Sequence, residues 1–328
     1  MHPSRRGASI RGALPLALAL PVAALISAGP AVAAGDSSVT APEGAKPTVV
    51  LVHGAWADAS SWDNVITSLQ GRGYPVVATA NPLRSLTSDS AYLAAQLKAI
   101  KGPIVLVGHS YGGAVITNAA VGNPNVESLV YIAGFAPDKG ETTAQLVARY
   151  PGSHLTDDPK APVPTALYPV PLGGGPTDVD LYMKPDKFDD VFLSNRVDAR
   201  RANVLAASQR PANVATNIEP TKAVAWKTVP SWFLVATDDR TIGTQNLRFM
   251  AKRAGSTTVE VDAPHDVMAT NSGDVTDLIL QAAHESRPSL ASTGANSRQA
   301  AVFGTAAAFA IGSGTLLVAR SNRARRRT

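Results

Sequence analysis

Ile104-Val105-Leu106-Val107-Gly108-His109-Ser110-Tyr111-Gly112-Gly113 is the stretch from which the rest of the chain can be read. Residues 104–107 form an unbroken apolar run of strand length, the pattern of a strand buried on both faces. From Gly113 to Val121 the pattern becomes helical. Between them lies Gly-x-Ser-x-Gly. A serine on a tight strand-to-helix turn has a strained backbone, and small flanking residues let neighbouring backbone pass close by. Its Oγ then stands clear at the strand's end. The helix that follows aims free N–H groups at the same point. Ser110 is therefore a candidate nucleophile.

Working outward, similar apolar runs occur at Thr48–Val52, Pro75–Ala80, Ser128–Ile132, Ser231–Ala236 and Thr257–Val261. Helical patterns fall between them at Ser60–Gln70, Ser90–Ile100, Gln245–Ala254 and Val275–His284. Strand and helix in alternation predict an α/β fold, a mostly parallel central sheet with helices on both faces. One interval breaks the rhythm. After Phe135 the chain takes about ninety residues to reach the strand at Ser231. Tyr150–Pro176 is rich in Pro and Gly, and Phe188–Gln209 is helical in pattern. An inserted helical cap over about residues 136–226 is expected, of the kind that shapes a pocket.

A serine hydroxyl needs a base, and the base needs a partner to fix its tautomer. His2 lies in the leader, His109 within the turn itself, His154 in the irregular part of the cap and His284 near the end of the last helix. His53 falls in the loop after the first strand, where bracing that loop is the expected role. His265, just after the strand Thr257–Val261, remains as the base. The acid should follow the preceding strand, where Asp238-Asp239 stands; spacing alone does not choose between the two. An oxyanion needs N–H donors. Tyr111 supplies one, and the loop His53-Gly54-Ala55-Trp56 should present the other at Ala55. Trp56, Phe135 and Phe188–Leu193 are expected to line the pocket.

The net charge is +5, yet residues 35–293 hold 21 basic and 25 acidic residues, a net of −4. A mildly acidic body speaks against nucleic-acid binding. There is no Cys, which excludes disulfides and thiolate metal sites. No metal-ligand spacing and no phosphate loop stands out, so no cofactor is expected.

The basic charge sits at the ends. Residues 1–34 combine Arg5, Arg6 and Arg11, an apolar core and Ala31-Val32-Ala33, the pattern of a signal peptide cleaved near Ala33 or Ala34. Residues 286–299 form a Ser/Ala/Gly-rich stalk. Residues 300–319 carry no charge and have the length of a bilayer span. Five Arg lie within residues 320–327 of the tail 320–328, a cytoplasmic stop. Just ahead of the span stands Leu290-Ala291-Ser292-Thr293-Gly294. Pentapeptide, span and basic tail together resemble the sorting signal of Gram-positive surface proteins. That resemblance implies cleavage between Thr293 and Gly294 by a sortase and attachment to peptidoglycan.

The body, over about Thr48–Ala283, resembles the α/β-hydrolase superfamily, in particular the bacterial branch related to plant methylesterases and hydroxynitrile lyases. The marks are Val52-His-Gly-Ala-Trp-Ala-Asp-Ala-Ser-Ser-Trp62, Gly108–Gly113, Phe135-Ala-Pro-Asp138, Asp239-Arg-Thr-Ile242 and Pro264-His-Asp-Val-Met268. The resemblance implies an α/β-hydrolase fold over 47–285 and selects Asp239, the Asp before Arg-x-Ile, as the acid. It implies Ala55 and Tyr111 as oxyanion donors and a small-molecule ester as substrate. Similar lyases tend to carry a Lys directly after the base; Asp266 here weighs against cyanohydrin cleavage. Pro264, in place of a small residue, and Gly243, in place of a common Pro, are further departures. A cofactor-free perhydrolase and a non-catalytic, wall-displayed binding protein are the alternatives.

Overall fold

The structure, a computed structural model, describes residues 46–175 and 177–285. The expected signal peptide, stalk, sorting motif with Thr293 and Gly294, span and basic tail lie outside the described residues. Among the described residues no helix is long and apolar enough to cross a membrane.

The chain opens with β1 (Thr48–Val52), α1 (Asp63–Gly71), β2 (Val76–Thr79), α2 (Leu86–Ala99), β3 (Ile104–His109), α3 (Tyr111–Ala119) and β4 (Val126–Ile132). An insertion follows: α4 (Thr143–Val147), β5 (Leu167–Pro171), β6 (Val179–Met183), α5 (Pro185–Leu193), α6 (Ala199–Ser208), β7 (Ala212–Asn213) and α7 (Ala215–Ile218). The alternation then resumes with β8 (Ser231–Ala236), α8 (Thr244–Ala254), β9 (Thr257–Val261) and α9 (Val267–Glu285).

Six strands form one sheet in the order β2-β1-β3-β4-β8-β9, and every pairing in it is parallel. Every residue of β3 and β8 is buried, as unbroken apolar strands require when helices cover both faces. α2 packs on α3 and α1 on α9. Because the strands run parallel, the loops after β1, β3, β8 and β9 all emerge at one edge. Strand order reverses between β1 and β3, so the loops leaving these two strands part and open a crevice.

Backbone sits very close to backbone at that edge. A Cβ on Gly113 would lie 2.5 Å from the Phe135 carbonyl oxygen and 2.8 Å from its nitrogen. The glycine thus lets α3 start directly against the chain leaving β4.

The insertion contains helices α4–α7, and also a three-stranded antiparallel sheet, β5-β6-β7. The Pro/Gly-rich stretch holds β5 and the approach to β6. Pro169 and Pro171 obscure β5 in the sequence, yet it is an edge strand, where a missing N–H is tolerated. The helical pattern of 188–209 divides into α5 and α6, with Ser194 and Asn195 left-handed between them.

Two glycine substitutions should move stability in opposite directions. Gly113→Ala should destabilise by about 1–3 kcal/mol through overpacking. Gly273→Ala, within α9 and with nothing inside 4 Å of the added carbon, should stabilise by about 0.5–1 kcal/mol. Urea unfolding of both variants checks the two signs.

Candidate active site

Ser110 has φ 52° and ψ −125°, a backbone region that costs about 1–3 kcal/mol for a residue with a Cβ. Neighbouring strands hold it there. Its N–H donates to the Ile132 carbonyl at 3.3 Å, and its own carbonyl accepts from Gly113 at 2.9 Å and Phe135 at 3.0 Å. The strained turn directs Oγ to His265 Nε2, 2.8 Å away.

His265 is fully buried, and its Nδ1 lies 2.6 Å from Asp239 Oδ2. The carboxylate only accepts, so Nδ1 carries the proton and Nε2 is free to accept the serine proton. The other oxygen, Asp239 Oδ1, accepts N–H groups from Thr241 (2.9 Å), Ile242 (2.7 Å) and Gly243 (3.3 Å). Those donors offset the cost of burying the charge. Asp238 turns outward instead. It meets Arg196 Nε at 2.9 Å and Arg240 Nε at 3.2 Å. Of the two candidate acids, Asp239 is the one brought to His265.

The loop after β1 passes over the serine turn. A Cβ on Gly54 would lie 2.6 Å from Ser110 Cβ and 3.1 Å from its Oγ. This approach brings the loop at Gly54, followed by Ala55, against Ser110, while Tyr111 follows Ser110 directly at the start of α3. Neither the Ala55 nor the Tyr111 N–H has an acceptor among the described residues. His53 clamps the loop: Nδ1 donates to the Gly54 carbonyl at 2.9 Å, and Nε2 accepts the Asn81 N–H at 3.1 Å. Burial holds its pKa down at about 4, so the clamp is a neutral imidazole.

Two side chains join the site that sequence reasoning had not placed there, His109 and Asp89, beside Phe192 of the segment expected to line the pocket. His109 does not stand apart: its Nε2 donates to the His265 carbonyl at 3.0 Å, and the two rings lie 4.8 Å apart. Burial, with the His265 charge second, pushes its pKa well below the usual imidazole value. Asp89 accepts from the Tyr111 hydroxyl at 2.8 Å and from the Arg84 N–H at 3.1 Å. Burial raises both the Asp89 carboxyl and the Tyr111 phenol. Phe192 of α5 stands 5.3 Å from the His265 ring and 6.4 Å from that of Trp56. Only alternation along β3 hinted at His109's direction; nothing local marks Asp89.

Trp56 and Phe135 are both buried. Trp56 has φ 57° and is tied to the cap twice, from its N–H to the Arg210 carbonyl and from its indole to the Leu181 carbonyl, each at 3.0 Å. Ser110 itself is only 4% exposed. Among the described residues no group of three or more His, Asp and Glu side chains is placed to share a metal ion.

Asp266, next to the base, contrasts with Asp239. Its N–H donates to the Phe192 carbonyl at 3.1 Å, but its Oδ1 is buried without a partner among the described residues. Burial pushes its carboxyl up to about 6, against the opposing charges of His265 and Arg201.

These shifts carry opposite signs in a pH titration of stability. The Asp266 carboxyl, raised from 3.8 to about 6, favours folding most below 3.8, and that contribution is lost as pH rises through 6. The His53 imidazole, lowered from 6.5 to about 4, contributes fully above 6.5 and loses that contribution as pH falls toward 4. Asp266→Asn should therefore gain on the parent by up to about 3 kcal/mol between pH 4 and pH 7. Urea melts at stepped pH test this; a constant difference between the two proteins would contradict it.

Residues 49–278 match the family model described as the alpha/beta hydrolase family. A carbendazim-hydrolyzing esterase of Nocardioides sp. (strain SG-4G) is 30% identical over 113 residues, 30% of this chain and 47% of that protein. The chain thus spans about half the length of that relative. Alpha/beta hydrolase nvfD of Aspergillus novofumigatus (strain IBT 16806) is 26% identical over 214 residues, 59% of this chain and 78% of that one. Among solved structures, an extracellular alpha/beta-hydrolase from a Paenibacillus species matches with a TM-score of 0.57 at 20% identity, over 72% of this chain and 99% of that one. At that identity the likeness speaks for the fold. The family match runs through the six-stranded sheet and takes in Ser110, Asp239 and His265, and on it the chain belongs to the alpha/beta hydrolase family.

Proposed function

We propose that the protein hydrolyses carboxylic esters through an acyl-enzyme on Ser110. The observation that carries this is the unbroken chain from Ser110 Oγ through His265 to Asp239, at 2.8 Å and 2.6 Å. His265 Nε2 takes the serine proton as Oγ attacks the ester carbonyl. The Ala55 and Tyr111 N–H groups hold the oxyanion, each such donor being worth on the order of 3 kcal/mol. Asp239 stabilises the imidazolium, which then protonates the leaving alcohol. Water repeats the sequence on the acyl-enzyme, with His265 again as base. The aromatic surroundings from Trp56, Phe135 and Phe192 favour small or medium esters with an apolar portion. A buried carboxyl at Asp266 would repel cyanide, so hydrolysis is favoured over cyanohydrin cleavage.

The two ends extend the proposal to location. A charged, then apolar, leader supports export. The order of Leu290–Gly294, uncharged span and Arg-rich tail supports sortase transfer to the cell wall.

A fluorophosphonate probe should label the protein at Ser110, and Ser110→Ala should abolish labelling and reduce kcat on p-nitrophenyl acetate by at least about 10⁴-fold. An unlabelled parent would favour a binding protein on a retired scaffold. For location, mass spectrometry of wall digests from the producing cell should find a C-terminal peptide ending at Thr293. Intact tails reaching Thr328 in the membrane fraction would indicate a plain membrane anchor.

A further inference from the structure

The chain between β2 and the first turn of α2 is bonded to both segments that carry the proposed oxyanion donors. At one end Asn81 grips His53: its N–H donates to Nε2 at 3.1 Å, and its Nδ2 donates to the His53 carbonyl at 3.0 Å. His53 in turn holds the Gly54 carbonyl, one residue before Ala55. At the other end Asp89, fully buried in the first turn of α2, accepts from the Tyr111 hydroxyl at 2.8 Å. The same carboxylate accepts the Arg84 N–H at 3.1 Å and the Ser88 hydroxyl at 3.2 Å. Between the two ends Leu83 is buried with φ 60°, and its carbonyl accepts the Asn213 N–H of β7 at 2.9 Å.

Tyr111 needs such an anchor more than a residue in mid-helix does. It is the first residue of α3, where a backbone N–H has no partner within the helix. That N–H is the one the proposed mechanism uses, and its direction follows the rotation of the planar Ser110–Tyr111 peptide. Gly112 and Gly113 come next and contribute no side chain. The phenol is therefore the one side-chain handle in the opening of α3. A hydrogen bond to a carboxylate is roughly twice as strong as one between neutral groups. Packing alone does not call for a carboxylate at this position. Burying one costs free energy that an apolar side chain of similar size would avoid.

We propose that Asp89 is a positioning residue for ester hydrolysis: its bond to the phenol fixes the start of α3 and so aims the Tyr111 N–H at the oxyanion. Asp89 itself does not touch the substrate. This rests on the ester-hydrolase proposal above, and the test separates the two.

Hydrolysis of p-nitrophenyl acetate is measured on the full chain and its variants. So is inhibition by phenylboronic acid, whose adduct with Ser110 places an oxygen where the oxyanion forms. Asp89→Leu and Tyr111→Phe break the same bond from opposite sides, and the second leaves the Arg84 and Ser88 contacts of Asp89 in place. Each should lower kcat by about 10- to 100-fold with KM within about twofold of the parent, as for a donor misplaced rather than removed. The boronic acid should bind more weakly by a similar factor. Asp89→Asn, which keeps an acceptor oxygen, should recover part of both losses. In the double variant the two effects should not multiply, since one bond is broken only once. Parent-like kcat and boronate affinity in Tyr111→Phe would overturn the proposal, even where Asp89→Leu fails to fold. Losses that multiply in the double variant, or a loss in Asp89→Leu confined to its urea midpoint, would overturn it too. A parent that neither turns over the ester nor takes the fluorophosphonate probe would instead overturn the hydrolase proposal, and this role with it.

Discussion

The left-handed backbone at Ser110 is the constraint on which the site depends. A side chain there is strained, and a strained turn relaxes unless its surroundings hold it. Three backbone hydrogen bonds, to Ile132, Gly113 and Phe135, do so from β4, α3 and the chain beyond β4. The same compression removes room for a Cβ at Gly54 and Gly113. Close backbone contact therefore does two things at once. It points Oγ at His265, and it brings the loop after β1 up against the serine turn at Gly54.

Charge at this edge is handled in two contrasting ways. Asp239 is buried, yet it faces three N–H groups and an imidazole, so its charge is compensated within the protein. Asp266 is equally buried and lacks such an array, and its carboxyl is correspondingly harder to ionise. The two histidines around the base, His53 and His109, are kept neutral by burial and act as hydrogen-bonding struts. The His265 imidazole lies between Ser110 and Asp239, within hydrogen-bonding reach of both.

The cap is fastened to the body at several points around the site. Trp56 ties the loop after β1 to Arg210 and Leu181. Arg84 bridges to Asp180 of β6 at 2.8 Å, while its N–H also holds Asp89, which in turn holds Tyr111. Contacts with the cap thus reach both regions that carry the free N–H donors.

Much of this was legible in residue order, because the relevant physics is local. The strand, turn and helix around Ser110, the five other core strands and the position of His265 after β9 follow from short-range sterics and from periodicity that few residues suffice to encode. For the ends of the chain, which lie outside the described residues, composition and order carry only the expectation of sorting signals. Other features came from packing between distant segments. Spacing left Asp238 and Asp239 equivalent; the turn after β8 points one at His265 and the other at Arg196. β5 was hidden by its prolines until its place at a sheet edge accounted for them. His109 and Asp89 became part of the site because particular loops meet at one end of the sheet, and the partners they meet lie 156 and 22 residues away. The sequence by itself determined which groups could do the chemistry, since that depends on residue type and local backbone. The tertiary structure alone decided which of them face one another, since that depends on strand order and on how the cap closes over the edge.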